Sequence, residues 1–598
     1  MFTGLWVLAV ALAAPTWSPT EPGGLARLED AGAPPPERTF AASDFGAVGD
    51  GSTDDGPAIR AAIDAAIQCG QPAVVTLEPK TYRIGPWSGR WCALPIIDAQ
   101  GITLDGRGAR ILLHPKNRGV LVYRSRDVTV RSLTIDYSPL PFTQGDVIEV
   151  DRNSGAFLVR LHDGYPQPPP HDWVVANHGE VQGWWHGVFM HEGRRAFTHR
   201  WVYIREVQPV PGMPRTYRIA AIPEHAAVLD AVRPGQRFVF RNRTVDRDWT
   251  EAVTLIGDGP EDLGVYHSNR AATMQIRFSQ SCLMEDVTLH STADMCFRVT
   301  GSDFVTFRRC RIVYPPGSDR LVVSLSDGMH IKNVRHGPLI EDCVFEGLMD
   351  DSNNISTMSE DLVQRIDDTT FRTMYSDIAW YPSSMREGDV LQAWDPVEGR
   401  PLGEMTVAKV TFLSSHERII EVDRPVDGLR ARVDVGRESN TWLFVKKRTP
   451  AVIRRCRYGT QLKTACVLRD PAQVSHCVFE DTAYGIHGHN SPIWAEGPWP
   501  QWLLVDDCRF TQVEVGAIVL LALGRGAIDP VPTDVRIRGC RIRTSVGDGI
   551  HLTNLSGVRI EDTTIEMGPG APEEYQALEL VNCERVDLDE LRVIDPRP

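Results

Sequence analysis

The sequence predicts an all-β fold: a right-handed parallel β-helix with an N-terminal capping helix and two inserted small β-barrels. Three observations predict it. A short apolar-alternating strand ending in Cys or another small residue recurs along the chain, its anchors return every 21 to 33 residues, and two stretches break that period with strand runs of their own. Strict alternation over four to eight residues marks strands. A short period with loop-sized additions marks a solenoid, in which each coil buries its face only against its neighbours. A β-propeller would need repeats of about 40 residues or more. A solenoid also accommodates 598 residues in one body, because its core grows linearly with length.

Residues 1–20 read as an export signal, with Leu5 to Ala14 as an apolar core that no Lys or Arg precedes. That segment is too short to span a bilayer. A secreted or periplasmic protein is expected, with no membrane span. Residues 21–39, rich in Pro, Gly and Ala, read as a linker.

Residues 40–140 supply the cap and the first coils. In GDGSTDDGPAIRAAIDAAI, Thr53 is the expected N-cap, Asp54 and Asp55 lie in the first turn, and Ile59, Ala62, Ile63, Ala66 and Ile67 form an apolar stripe. Such a helix closes the open end of a β-helix, whose first coil otherwise exposes unpaired backbone.

The coils then read as VTVRSLTI (128–135), CLMEDVTL (282–289), FVTFRRCRI (304–312), LIEDCVF (339–345), VIRRCRY (452–458), QVSHCVF (473–479), WLLVDDCRF (502–510), VRIRGCRI (535–542), VRIEDTTI (558–565) and VDLDELRV (586–593). Two stretches interrupt them. Residues 141–250 and 358–448 each hold a Gly-Asp-Val strand start and several short strands, so each is expected to be a barrel inserted in a coil loop. Residues 251–357 are then central coils and 449–598 C-terminal coils.

Six of the twelve cysteines (Cys310, Cys343, Cys456, Cys477, Cys508 and Cys540) share one strand phase, as expected of a buried ladder of small side chains. Cys69 and Cys92 are the pair expected to form a disulfide if any does. No CxxC occurs, so neither a structural zinc site nor a cofactor is expected. The net charge of −15 argues against nucleic acid and acidic polysaccharides, which need Lys and Arg patches. A neutral substrate fits better.

The chemistry-bearing residues cluster around Asp350 and Asp351, with Asp327 lying 23 positions earlier. Discounting a loop between Cys310 and Cys343, Asp327 and Asp350 are expected to share a phase and to stack about 4.8 Å apart. Carboxylates that close raise each other's proton affinity, which prepares a general acid beside a general base. Consecutive residues on a regular strand face opposite ways, so both aspartates reach one cleft only at a corner; the Ser-Asn-Asn that follows is turn-like. Without such a cluster, an Asp-Asp pair would be a solvated turn.

Around this core lie weaker candidates. His330 follows Asp327 by three, and the spacing returns in Tyr484-Gly-Ile-His487 and Asp548-Gly-Ile-His551. His330 and His487 are candidate substrate contacts; His551 is expected to be structural and Asp548 a turn residue. Glu496 sits in a Trp- and Pro-rich loop and is a candidate carboxylate. Asn354 either binds a sugar hydroxyl or builds an asparagine ladder. Trp494, with Trp499, Trp502, Trp184 and Trp185, offers flat apolar area for a sugar face.

The segment SDGMHIKNVRHGPLIEDCVFEGLMDDSNNI (326–355) resembles the core of glycoside hydrolase family 110, in which an Asp-Gly-Met-His segment precedes an Asp-Asp-Ala-x-Asn segment. Trp494-Ala495-Glu496-Gly497 is similar to an aromatic-x-Glu-x-Gly element of that family, and YSPLPFTQG (137–145) resembles its entry into the first barrel. DFGAVGDGSTDD resembles the opening of many pectate-lyase-like β-helices. The family's His-Gly after the Asn is here Ser356-Thr357. The resemblance implies an exo-acting α-galactosidase of α-1,3 type that works with inversion, with Asp327, Asp350, Asp351 and Glu496 as acid and base and a neutral galactose-containing glycan as substrate. Two alternatives stay open. One is an endo-acting hydrolase or lyase of the polygalacturonase type, to which Gly485-Ile-His487-Gly-His489 points; the other is a non-catalytic carbohydrate-binding β-helix.

Overall fold

The computed structural model describes residues 38–86, 92–115, 117–169, 186–241, 253–255, 264–266, 272–375, 385–414, 417–436, 439–490, 496–497, 501–524, 528–544 and 546–597. The export signal, nearly all of the linker, and Trp184, Trp185, Trp494 and Trp499 lie outside the described residues.

Among the described residues, 33 strands form one sheet, parallel except at the short strand Glu496–Gly497, wound into a right-handed β-helix. One interior column runs Val130, Met284, Phe307, Ile340, Ile453, Val474, Val505, Ile537 and Ile560, one residue per coil, and continues to Leu588, which is exposed. A second column stacks the rings of Phe345, Tyr458, Phe479 and Phe510 at 4.9, 4.9 and 4.5 Å, within 6° of parallel. Equivalent apolar side chains superpose because parallel pairing fixes the register.

Most of the single strands expected from the repeat are two strands joined at a corner. Strand Leu339–Glu341 ends, Asp342 adopts φ 56°, Cys343 turns inward, and Val344–Leu348 begins. The same left-handed residue precedes the ladder cysteine at Arg309, Arg455, His476, Asp507 and Gly539. At each corner the thiol points back to the carbonyl two residues earlier, at 3.3 Å for Cys343 and 3.4 Å for Cys456, Cys508 and Cys540. Thr563 makes the same contact through its hydroxyl at 2.9 Å. All six ladder cysteines are buried and free. Cys69 and Cys92, the candidate pair if a disulfide formed, are also free.

The capping helix spans Gly56–Gln68 and buries Ile59, Ala62, Ile63 and Ala66 against the first coils. Its N-cap is Asp55 and not Thr53, which lies in the preceding strand Asp50–Asp54. Pro57 in the first turn suits that start, since its missing N–H needs no partner there. The Asp55 carboxylate accepts the Val48 amide at 2.7 Å and so ties the leading loop down.

Two closed six-stranded barrels interrupt the solenoid. The first uses strands between Phe142 and Arg241; the second uses strands between Glu360 and Val445. They are spliced between adjacent coils, so Thr129 pairs with Leu283 and Asn353 with Cys466. Phe142, Val188, Met190 and Val239 of the first barrel pack on Leu321, Leu325, Met349 and Leu462 of the coils. The second barrel is fastened by a buried two-pronged ion pair, Arg335 to Asp389 at 2.6 Å for both contacts, and by Tyr375, whose hydroxyl accepts from Asn333 at 2.7 Å. The acidic motif itself carries both attachments: Met349 packs on the first barrel, and Asn333 and Arg335 hold the second.

Candidate active site

Strand Met329–Lys332 lies between Met295–Thr300 and Asn353–Met358, and Thr464–Leu468 follows on the next coil. Alternate residues face out, giving the column Arg298, His330, Asn354, Val467, His487, Val519, His551 and Glu579. Asp350 and Asp351 fall at the corner between Val344–Leu348 and Asn353–Met358, which releases them from strand alternation. One oxygen from each of Asp327, Asp350 and Asp351 lies within 4.8 Å of the others, a spacing suited to shared protons and to a cation alike.

The expected phase is off by one residue. Ser324 bridges Leu348, and Met329 pairs with Asn353, so the step between these coils is 24 residues and places Asp351, not Asp350, opposite Asp327. The Gly328 amide accordingly donates to the Asp351 carbonyl at 2.8 Å.

The two adjacent carboxylates have different surroundings. Asp350 Oδ1 is 3.0 Å from Lys463 Nζ on the next coil. The negative charge of Asp350 holds that ammonium above its usual range. Asp351 accepts from the Thr464 amide at 3.3 Å and from Asn354 Nδ2 at 3.2 Å. Burial, and then the charge of Asp350, push the Asp351 carboxyl up to about 6. Asp327 is buried, with the Ser326 hydroxyl 3.3 Å from its Oδ2.

Asn354 links this centre to a second charged group. Its Oδ1 accepts from Lys332 Nζ at 2.6 Å, and Lys332 also donates to Ser356 Oγ. Glu496 binds Lys332 at 3.0 Å and pairs with Arg469, and it lies 4.0 Å from His330 Nε2. Burial pulls the Lys332 ammonium below its usual range while Glu496 counters it. Glu496 is therefore held as the counter-ion of two buried cations. Ser356 and Thr357 have structural partners here: Ser356 on Lys332, and Thr357 on Asp470 at 2.8 Å.

His487 lies three coils beyond His330, its ring stacked between Tyr484 and His489 at 4.8 and 4.3 Å. Burial, and then neighbouring His489, pull it down to about 3. Asp548 differs from expectation. It opens a strand, and His551 Nδ1 faces both its carboxylate at 3.5 Å and that of Glu579, on the next coil, at 3.1 Å. This trio is the second place among the described residues where a cation would fit.

Lys332, Lys463 and Arg469 are absent from the sequence reading. Lys332 was within reach, two residues after His330 on the same outward phase. The others are not, because Lys463 and Arg469 lie beyond the second barrel.

No family model matches the chain. It is 22% identical over 407 residues to α-1,3-galactosidase B of Akkermansia muciniphila, covering 64% of this chain and 47% of that protein. It is 22% identical over 496 residues to α-1,3-galactosidase B of Bacteroides thetaiotaomicron, covering 75% of this chain and 71% of that protein. The chain resembles the α-1,3-galactosidases. It spans about half the length of the Akkermansia relative. Among solved structures, a family 28 exopolygalacturonase of Yersinia enterocolitica aligns over 95% of this chain and 80% of its own at 10% identity and a TM-score of 0.39.

Proposed function

We propose that the protein is an exo-acting glycoside hydrolase that releases terminal α-1,3-linked galactose from neutral glycans with inversion at the anomeric carbon. The observation that carries this is the convergence of Asp327, Asp350 and Asp351, with Lys463 biasing the shared proton toward Asp351. Asp351, protonated below about pH 6, gives its proton to the oxygen leaving galactose. An ionised partner, Asp350 or Asp327, takes a proton from the attacking water, whose oxygen bonds to the anomeric carbon. One water is consumed, and galactose and the shortened glycan are released. The three carboxyls titrate as a coupled group. Asn354 and the Lys332–Glu496–Arg469 cluster fix their positions.

A second stereochemical reading is retention. Inversion ordinarily places the two carboxyl groups about 6.5 to 9.5 Å apart and retention about 5 to 5.5 Å, and three carboxylates whose nearest oxygens lie within 4.8 Å of one another keep both open. The test is galactose release from para-nitrophenyl α-galactoside and α-1,3-galactobiose by wild type, Asp350→Asn and Asp351→Asn, with the first-formed anomer read by proton NMR. Release that collapses in the folded variants supports the hydrolase. β-Galactose as first product supports inversion; α-galactose supports retention. No release by wild type overturns the proposal.

A further inference from the structure

The floor around the acidic centre is unequal along the solenoid axis. Toward the N-terminal coils, every residue of Ala272–Arg277 and Met295–Thr300 is buried. Toward the C-terminal coils, Tyr484, His487 and His489 are each half-buried. Tyr484 pairs in register with Thr464, whose amide contacts Asp351, so it lies two coils, or about 10 Å, from that carboxylate.

Walls flank this part of the floor. On the first-barrel side, Arg194 pairs with Asp481 at 2.9 Å and His191 lies 3.4 Å from Glu514, just ahead of Tyr484 and of Gly516 on the coil beyond. On the second-barrel side, the hairpin at Gly399 leans on the chain after His489 and Leu521. A Cβ at Gly399 would meet the Leu523 carbonyl at 2.8 Å, and its φ of 63° already favours glycine. Asn490 Nδ2 donates to that same carbonyl at 2.6 Å.

The three rings form one column, with interplanar angles of 16° and 24°. Arg469 Nη2 donates to His489 Nε2 at 3.3 Å, which leaves the proton of the neutral ring on Nδ1. The same arginine holds Glu496 and lies 3.5 Å from Asn354 Oδ1, so the column is tied to the acidic centre.

We propose that Tyr484, His487 and His489 form a leaving-group subsite, which binds the neutral sugar that carries the cleaved galactose, the glycan running from the acidic centre toward the C-terminal coils. The subsite rests on the galactosidase reading. Tyr484 offers a phenol and His487 an imidazole nitrogen to sugar hydroxyls, since the ring faces are stacked on one another and Arg469 occupies His489 Nε2. A neutral sugar fits because both imidazoles stay uncharged, burial pulling His487 down to about 3 and His489 to about 4. The neighbouring Arg469 already has Glu496 as counter-ion.

The test is calorimetric titration of the Asp350→Asn protein with galactose and with α-1,3-galactobiose, alone and with Tyr484→Phe or His487→Ala added. Circular dichroism checks the fold of each. The disaccharide is expected to bind about tenfold more tightly than galactose, with most of that gain lost in either added variant. Equal affinity for the two sugars, or a gain that survives both substitutions, overturns the subsite. Wild type that releases no galactose would sink the hydrolase reading and the leaving-group role with it, while a disaccharide gain mapped to Tyr484 and His487 would then mark only a second sugar-binding position.

Discussion

Lys463→Met removes one charge beside the acidic pair and keeps the length of the side chain. Lys463 Nζ lies 3.0 Å from Asp350 Oδ1, and its side chain is 51% exposed. Two unit charges at that separation attract by about 1.4 kcal/mol in a fully aqueous medium and by about 5.5 kcal/mol at an effective dielectric of about 20. With half of the lysine in solvent the lower figure governs, which is about one pKa unit. Lys463 also lowers the proton affinity of Asp351, so its loss should raise that carboxyl above about 6. Both limbs of the pH profile of kcat/KM for para-nitrophenyl α-galactoside should therefore move up, the limb set by Asp350 by about one unit. Lys463→Arg should restore their position. Limbs that stay in place while turnover falls would refute this electrostatic account and leave Lys463 a packing residue.

Three further outcomes follow from the same geometry. Asp351 is raised in the folded state from an ordinary 3.8 to about 6, so its contribution to stability is complete below about pH 4 and is lost as pH rises through 6. Asp351→Asn should thus abolish turnover yet stabilise the fold by about 3 kcal/mol above pH 7 and by well under about 1 kcal/mol at pH 4, as read by urea titration at both values. Glu496→Gln leaves Lys332 and Arg469 buried without their shared counter-ion and should cost about 3 to 5 kcal/mol; an unchanged urea midpoint would show that the cluster does not depend on that charge. Asp389→Ala strands the buried Arg335, so limited proteolysis should cut the second barrel well before the coils, and simultaneous loss of both would argue against a separable attachment.

The coils were legible because every rung must present the same apolar face. The corners were not, since a left-handed residue leaves little trace beyond a tolerance for Asp, and Arg309, Arg455 and His476 occupy that position as readily as Asp342 and Asp507. The slip at Asp350 has another source. Ile312 to Ser324 spans 12 residues where Phe345 to Leu348 spans 3, so the loop adds nine residues and not the ten discounted, while the turn holding Asp350 and Asp351 matches Ser324 to Met329 residue for residue. The acidic trio could be named because its members lie within one motif. Lys463 and Arg469 could not, because their register depends on the length of an inserted barrel. The engagement of Glu496 depends on two buried cations, which its own loop does not disclose.

The second barrel also sets a timetable. Lys463 follows Asp350 by 113 residues, although their side chains touch. At about 5 to 20 residues per second, the ribosome adds the lysine roughly 6 to 23 s after the aspartate. Throughout that interval the rung bearing Asp350, Asp351 and Asn354 presents an unpaired strand edge, the kind that recruits stray chains. The ribosome must add a whole barrel before the next rung can cover it, so the length of this vulnerable window is written into the insert and not into the catalytic rung.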